Sequence, residues 1–323
     1  MVTQNRNFMS IPDIRQIESA HKRIQPYINK TPVLTSSAIN KIAGCSLFFK
    51  GENFQKVGAF KIRGAMNAIL SLSEGELENG VCTHSSGNHA QALALAAQIV
   101  GVNAYIIMPY NAPSVKLNAV IDYGAMVIEC EPTLQAREEG VRKIMEETGA
   151  VFIPPFDDYR IIAGQATVAK EFFEQLMEPL DYILAPIGGG GLMSGTSLST
   201  KYFSPNTKVI GCEPEGADDA YQSFIKKELI PSVSPKTIAD GLLTSLSDKT
   251  FEIITTYVHN IFTVSDEEIM HALQLTWERM KIIIEPSSAV CLAAVLKNKQ
   301  YFKGRNVGVI ISGGNVDFKN LHF

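Results

Sequence analysis

Short apolar runs rich in β-branched residues alternate with helical patterns along almost the whole chain, and this alternation limits the fold more than any other feature. Runs at 47–50, 81–85, 103–108, 125–130, 151–153, 182–187, 208–212 and 307–311 read as strands. Patterns at 12–27, 64–72, 88–100, 113–122, 133–148, 161–177, 191–201, 265–281 and 286–297 read as helices. Strands separated by helices pair in parallel, because each connection must cross over the sheet. The expected class is therefore α/β, with two open, mostly parallel sheets flanked by helices. The segment 80–156 is a self-contained set of strand–helix units. It is expected as a small domain inserted in a large one formed by 1–72 and 157–323, with a cleft between them. The stretch 225–250 reads as irregular.

A chain of 323 residues is long enough for two such domains. Its 46% apolar and 19% charged residues and net charge of −4 give no electrostatic basis for binding nucleic acid or an anionic membrane. Residues 90–115 carry no charge, but Gly101, Asn103 and Pro109 divide them into pieces too short to span a bilayer, which takes about 20 apolar residues. Cys45, Cys82, Cys130, Cys212 and Cys291 are odd in number and form no CxxC pair, as expected of reduced thiols. The N-terminal stretch lacks the apolar core of a secretory leader. These features together predict a cytoplasmic protein.

Four stretches carry polar chemistry at strand ends. In "ILAPIGGGGLMSG" (183–195) a strand runs into four glycines and then a helix. Glycines let the backbone approach a ligand, and amides at a helix N-terminus receive an anion such as phosphate. Gly189, Gly191 and Gly195, with Glu213 after the next strand, also resemble a dinucleotide fingerprint, at the unusual spacing GxGxxxG. In "THSSGNHAQA" (83–92) a strand ends in Ser85, Ser86, Gly87, Asn88 and His89, a turn that can cap the helix or receive a carboxylate. "VGVIISGGNVD" (307–317) delivers Ser312 at a strand end, and "GCEPEGADDA" (211–220) gathers Glu213, Asp218 and Asp219 in a loop suited to a hard cation. A lysine, Lys61, stands between Phe60 and Ile62 in "GAFKIRGA", where packing residues are otherwise the rule.

The lysine, the SSGN turn, the tetraglycine loop and a terminal SGGN occur in the order found in the fold-type II pyridoxal-phosphate enzymes, whose fold is like that of the tryptophan synthase β chain. The resemblance covers essentially the whole chain. It is carried by "TPVLTSS" (31–37), "FQKVGAFKIRGA" (54–65), "HSSGNHAQA" (84–92), "TIADG" (237–241), "WERMK" (277–281) and "SGGNVD" (312–317). Within the group, "EPEGADDAYQS" and "WERMK" resemble the serine racemase branch, with biodegradative threonine and serine dehydratases as near relatives.

This resemblance implies that Lys61 forms the Schiff base with the cofactor aldehyde and removes the substrate's α-proton from one face. Ser86 would serve the opposite face. Gly188, Gly189, Gly190, Gly191 and Leu192 would hold the phosphate, Asn88 the phenolic oxygen and Ser312 the ring nitrogen, as a neutral partner, so that the ring need not be fully protonated. The substrate carboxylate would dock on Ser85, Ser86, Gly87, Asn88 and His89. The implied activity is interconversion of L- and D-serine with elimination to pyruvate and ammonia. An elimination-only enzyme acting on serine, threonine or threo-3-hydroxyaspartate is the alternative; a nicotinamide oxidoreductase or a non-catalytic effector-binding protein is more distant. Glu213, the Ala217 carbonyl and Asp219 match a Mg²⁺ site (or Mn²⁺ or Ca²⁺), and Ser36, Ser37, Ala38, Lys56, Val57, Gln91, Tyr123 and Asn315 match positions that bind ATP as an effector. A homodimer without a further regulatory domain is implied. Val57 replaces a hydroxyl residue of the mammalian enzymes, Phe156 stands where they have asparagine, and "EPSSA" (285–289) replaces their "EPTAG".

Overall fold

The computed structural model describes residues 10–112 and 114–317, without the side chains of 114 and 115. The first residue of the expected helix 113–122, and residues 1–9 of the leader reading, lie outside the described residues. The strands among those described are β1 (Val33–Leu34), β2 (Ser46–Gly51), β3 (Val81–His84), β4 (Ala104–Pro109), β5 (Met126–Cys130), β6 (Val151–Phe152), β7 (Tyr182–Pro186), β8 (Lys208–Pro214), β9 (Asn260–Val264) and β10 (Asn306–Ile311). They form two sheets in two compact units, one of residues up to 28 and 61–164, the other of 29–60 and 165 onward. The expected α/β class with two largely parallel sheets is the one observed.

The first unit holds a parallel sheet in the order β5-β4-β3-β6. Helix Leu134–Thr148 covers one face, with Val141 and Ile144 packed on Cys82 and Ile107. Helix Asn88–Val100 buries a run of alanines (Ala90, Ala92, Ala94, Ala96 and Ala97), whose small side chains let helix Lys61–Ile69 pack closely on it. Helix Ile14–Ile24, opened by a capping box between Asp13 and Gln16, lays Ile17, Ala20 and Ile24 inward and packs on Lys61–Ile69, where Arg23 donates to Asn67. These contacts put 10–28 and 61–72 with the segment expected as the small domain, not with the large one.

The second unit holds the order β1-β2-β10-β7-β8-β9, parallel except for β1. Helix Pro286–Lys297 lies against β7, β8, β9 and β10, and its near-continuous apolar sequence reflects burial on almost every side. Lys50, within β2, is fully buried. Its ammonium donates to Glu171 Oε1 (2.6 Å), Gln175 Oε1 (2.7 Å) and the Thr31 carbonyl (2.8 Å), so its three protons are all used. Breaking such a buried pair from one side costs about 3–5 kcal/mol. Within 225–250 the chain is irregular from 228 to 239, then makes a short 3₁₀ turn at Asp240–Leu242, and helix Asp248–Tyr257 begins before the stretch ends.

Four of the parallel strands deliver motifs at their carboxyl ends: β3 the turn 85–89, β7 the tetraglycine loop, β8 the acidic loop and β10 Ser312. No helix among the described residues is long and apolar enough to cross a membrane.

Candidate active site

In the first unit, Lys61 opens helix Lys61–Ile69, half-buried, and its ammonium donates to the Pro155 carbonyl at 3.0 Å. Ser85 leaves β3, and its hydroxyl accepts from the Gly87 amide at 3.3 Å, which tightens the turn. Ser86 is half-buried in the same bend. Helix Asn88–Val100 follows with Gly87 as its N-cap, a residue with no side chain to close the first turn. His89 lies inside, with Nε2 at 3.0 Å from the Ile153 carbonyl. A carbonyl only accepts, so the proton sits on Nε2, and Nδ1 is a buried acceptor without a partner. Burial first, and the Lys61 charge second, push the imidazole down to about 3, so the ring is neutral at physiological pH. What the turn offers an incoming carboxylate is therefore its backbone and hydroxyls, the His89 ring being engaged with Ile153. Lys61 and His89 bind the carbonyls of Pro155 and Ile153, two positions apart, so the N-terminal ends of these two packed helices come together.

In the second unit, Gly190 has φ +85°, a region that favours glycine, and a Cβ there would meet Leu246, Thr250 and Ile254 at 2.8–3.0 Å. A Cβ on Gly188 would lie 3.0 Å from Leu242 Cα. Helix Gly191–Phe203 starts at the fourth glycine with no side-chain cap, so its first turn presents amides and positive partial charge at the loop. In the same turn, Ser194 Oγ is buried without a partner. Leu192 is buried behind the loop. Ser312 ends β10, which pairs with β7, so this hydroxyl and the glycine loop leave neighbouring strands. Ser312 is 3% exposed, and its Oγ lies 2.9 Å from Ser288 Oγ. A capless glycine cradle that side chains would fill, an amine and a buried hydroxyl are the groups that pyridoxal phosphate requires, and the residues fit it.

The acidic loop is more committed. Glu213 is buried and accepts from the amides of Ala220 (3.2 Å) and Tyr221 (2.6 Å), closing the start of helix Asp219–Lys226. Burial, then the Asp219 charge, raise its carboxyl well above the usual range. Asp219 is raised to about 6, mainly by burial, and its Oδ2 is buried without a partner. Ala217 is buried in the turn Glu215–Ala217. Among the described residues, no group of three or more His, Cys, Asp or Glu could hold a metal ion. A cation here would use two carboxylates and a carbonyl, with water completing its shell, as suits Mg²⁺. The raised Asp219 value makes a checkable statement in the metal-free protein. Its contribution to stability is complete below the ordinary value of 3.8 and is lost as pH rises through about 6. Asp219→Asn is expected to flatten the fall in melting temperature between about pH 4 and 7. Superimposable slopes in the two proteins would refute it.

Of the remaining predicted positions, Ser36 caps helix Ser37–Ala43, accepting from the Ile39 amide at 3.4 Å, and Ser37 and Ala38 open that helix. Lys56 and Val57 lie in the turn Lys56–Gly58, where Val57 has φ +56°, rare for a β-branched residue. The Asn315 amide holds the turn by donating to the Val57 carbonyl at 2.7 Å. Gln91 is buried in helix Asn88–Val100, and Tyr123 follows helix Ser114–Asp122. Two groups at the site went unassigned in the sequence. They are the Pro155 carbonyl and Ser288, signalled only as positions within "PPFDD" and "EPSSA".

The chain matches the family model "Pyridoxal-phosphate dependent enzyme" over residues 24–313, and it belongs to that family. Among its relatives, it is 51% identical over 319 residues to the serine racemase of Dictyostelium discoideum, covering 97% of this chain and 98% of that one. It is 49% identical over 313 residues to the β-hydroxyaspartate dehydratase of Paracoccus denitrificans, covering 97% and 99%. The crystal structure of the Dictyostelium serine racemase matches with a TM-score of 0.91, covering 95% of this chain and 99% of that one. The dinucleotide reading falls with this membership. Its third glycine, Gly195, packs against Ala166, where a Cβ would lie 2.5 Å from the Ala166 nitrogen, and its acid, Glu213, is taken up by two amides.

Proposed function

We infer that the chain is a pyridoxal-phosphate-dependent serine racemase that also eliminates water from serine, releasing pyruvate and ammonia. The observation that carries this reading is the pairing of two proton-carrying groups in one unit. Lys61 begins one helix and Ser86 precedes another, and these two helices pack together with their N-terminal ends held on the neighbouring carbonyls of Pro155 and Ile153. Bound pyridoxal phosphate supplies an aldehyde that an amine can hold and a ring that takes up the electron pair left at the α-carbon.

The chain's own residues do the rest. The Lys61 amine holds the cofactor and, when displaced by the substrate amine, takes the α-proton on its face. The Ser86 hydroxyl gives or takes a proton on the other face, the condition for inverting the centre. The turn Ser85–His89 binds the carboxylate through hydroxyls and first-turn amides. Gly188–Leu192 would hold the phosphate, Asn88 the phenolic oxygen and Ser312 the ring nitrogen. Loss of the substrate's β-hydroxyl once Lys61 has taken the α-proton would compete with return of a proton, so the same base would start both reactions.

Elimination alone is the second reading, supported by the 49% identity to a β-hydroxyaspartate dehydratase. Incubation with L-serine and with threo-3-hydroxyaspartate, followed by chiral analysis and keto-acid assay, separates the two. D-serine is expected. Keto acid and ammonia without D-serine would establish the second reading.

The orphaned Asp219 oxygen beside the raised Glu213 supports a Mg²⁺ site (Mn²⁺ and Ca²⁺ being alternatives) formed with the Ala217 carbonyl. Mg²⁺ is expected to raise the melting temperature of the wild type by a few degrees and leave Asp219→Ala unmoved. Equal shifts in both would place the ion elsewhere. ATP as an effector at the eight positions given above, and assembly as a homodimer, are supported by the family resemblance alone.

A further inference from the structure

Four glycines have no side chains with which to set the shape of their own loop, so the neighbours of the loop must set it. Leu246, Thr250 and Ile254 wall Gly190, while Gly188 rests mainly on backbone. A Cβ on Gly188 would lie 3.0 Å from Leu242 Cα and 3.1 Å from the Gly241 carbonyl oxygen. Both atoms belong to the 3₁₀ turn Asp240–Leu242. Two amides of this turn are used locally, that of Asp240 on the Ile238 carbonyl (3.0 Å) and that of Leu242 on the Ala239 carbonyl (2.9 Å). The Gly241 amide leaves the turn and donates to Ser287 Oγ at 3.0 Å. Ser287 is 2% exposed in the first turn of helix Pro286–Lys297, and that helix packs on β7, the strand that runs into the glycine loop. A helix seated on the loop's own strand therefore fixes the turn that braces the loop. The fit is close, since a Cβ on Gly241 would meet Ser287 Oγ at 2.9 Å.

We propose that Ser287 is a positioning residue for the cofactor's phosphate. By holding the Gly241 amide it fixes the turn on which Gly188 rests, and so sets the cradle before a ligand enters. The proposal rests on the reading that Gly188–Leu192 hold the phosphate. Ser287 acts through Gly241 and needs no contact with the cofactor. A preset cradle spares the entropy of ordering the loop on binding, so its loss appears as weaker binding of the phosphate group.

The test titrates full-length protein, stripped of cofactor, with pyridoxal phosphate and separately with pyridoxal, which lacks the phosphate. The ³¹P chemical shift of the reloaded enzyme is read beside the two affinities. Loss of one neutral hydrogen bond corresponds to about a 3–10-fold change in affinity. Ser287→Ala is expected to weaken pyridoxal phosphate by about that factor and to move the ³¹P signal, with pyridoxal within about twofold of the wild type. Ser287→Thr keeps the hydroxyl and is expected to stay within about twofold for both ligands. Gly241→Ala, whose Cβ displaces the Ser287 hydroxyl, is expected to give the same selective loss, and it decides the matter if Ser287→Ala does not fold. Unweakened binding of pyridoxal phosphate in either alanine variant, where Gly188→Ala weakens it, overturns the proposal. Equal weakening toward pyridoxal and pyridoxal phosphate does so too, because it marks a merely structural role. An unmoved affinity in Gly188→Ala instead removes the cradle reading, and the proposal with it.

Discussion

Replacing Lys61 by alanine is expected to lower turnover of L-serine by roughly 10³-fold or more and to abolish covalent attachment of the cofactor. A positioned general base alone contributes about 10²–10⁴-fold, and here the same amine also holds the cofactor. The ammonium donates to the Pro155 carbonyl from a half-buried position, and the variant is expected to fold. Steady-state rates and the absorbance of the bound cofactor measure the two effects separately. A Lys61→Ala protein that turned over within tenfold of the wild type would end the assignment of both roles.

Ser86→Ala is expected to divide the two reactions. Formation of D-serine from L-serine should fall by about 10²–10⁴-fold, while pyruvate formation stays within a few-fold, because elimination needs a base on one face only. The side chain is half-buried in a bend between β3 and a helix, and the turn's own bond runs from Gly87 to Ser85, so the local backbone does not depend on Ser86. The decisive quantity is the ratio of products in one incubation, which is insensitive to partial loss of protein. An unaltered ratio would assign the second face to another group.

The alternation of strand and helix was legible because hydrophobic period and glycine punctuation agree along most of the chain. The strand-end motifs were legible for the same reason, since open parallel sheets carry ligand groups where their strands stop. Helix Asp248–Tyr257 was not legible. Its sequence, "DKTFEIITTY", is rich in threonine and isoleucine, which favour strands, and the capping box between Ser247 and Thr250 decides the matter locally. Strand β9 follows at once and is only five residues long. The extent of the two units was not legible either, because helix Ile14–Ile24 chooses its partner through a face that matches many surfaces. Within the candidate site, residue types were readable but their commitments were not. The ring of His89 is taken up by a carbonyl 64 positions away, and the hydroxyl of Ser288 meets that of Ser312 across 24. Both follow from tertiary contacts that no local pattern encodes.

One topological fact bears on how the molecule is made. Strand β10 lies between β2 and β7, with Asn306 beside Ser46 and Val307 beside Tyr182. During synthesis the ribosome therefore releases both flanking strands long before the one that joins them, and the larger sheet stays open until its late strand emerges. The smaller sheet, by contrast, has all its strands out by residue 152. Contacts this distant in sequence form slowly, and unpaired strand edges invite association between chains. A translational pause or premature stop after residue 300 would thus yield a species with one sheet complete and the other gaping, a target for chaperones or proteases.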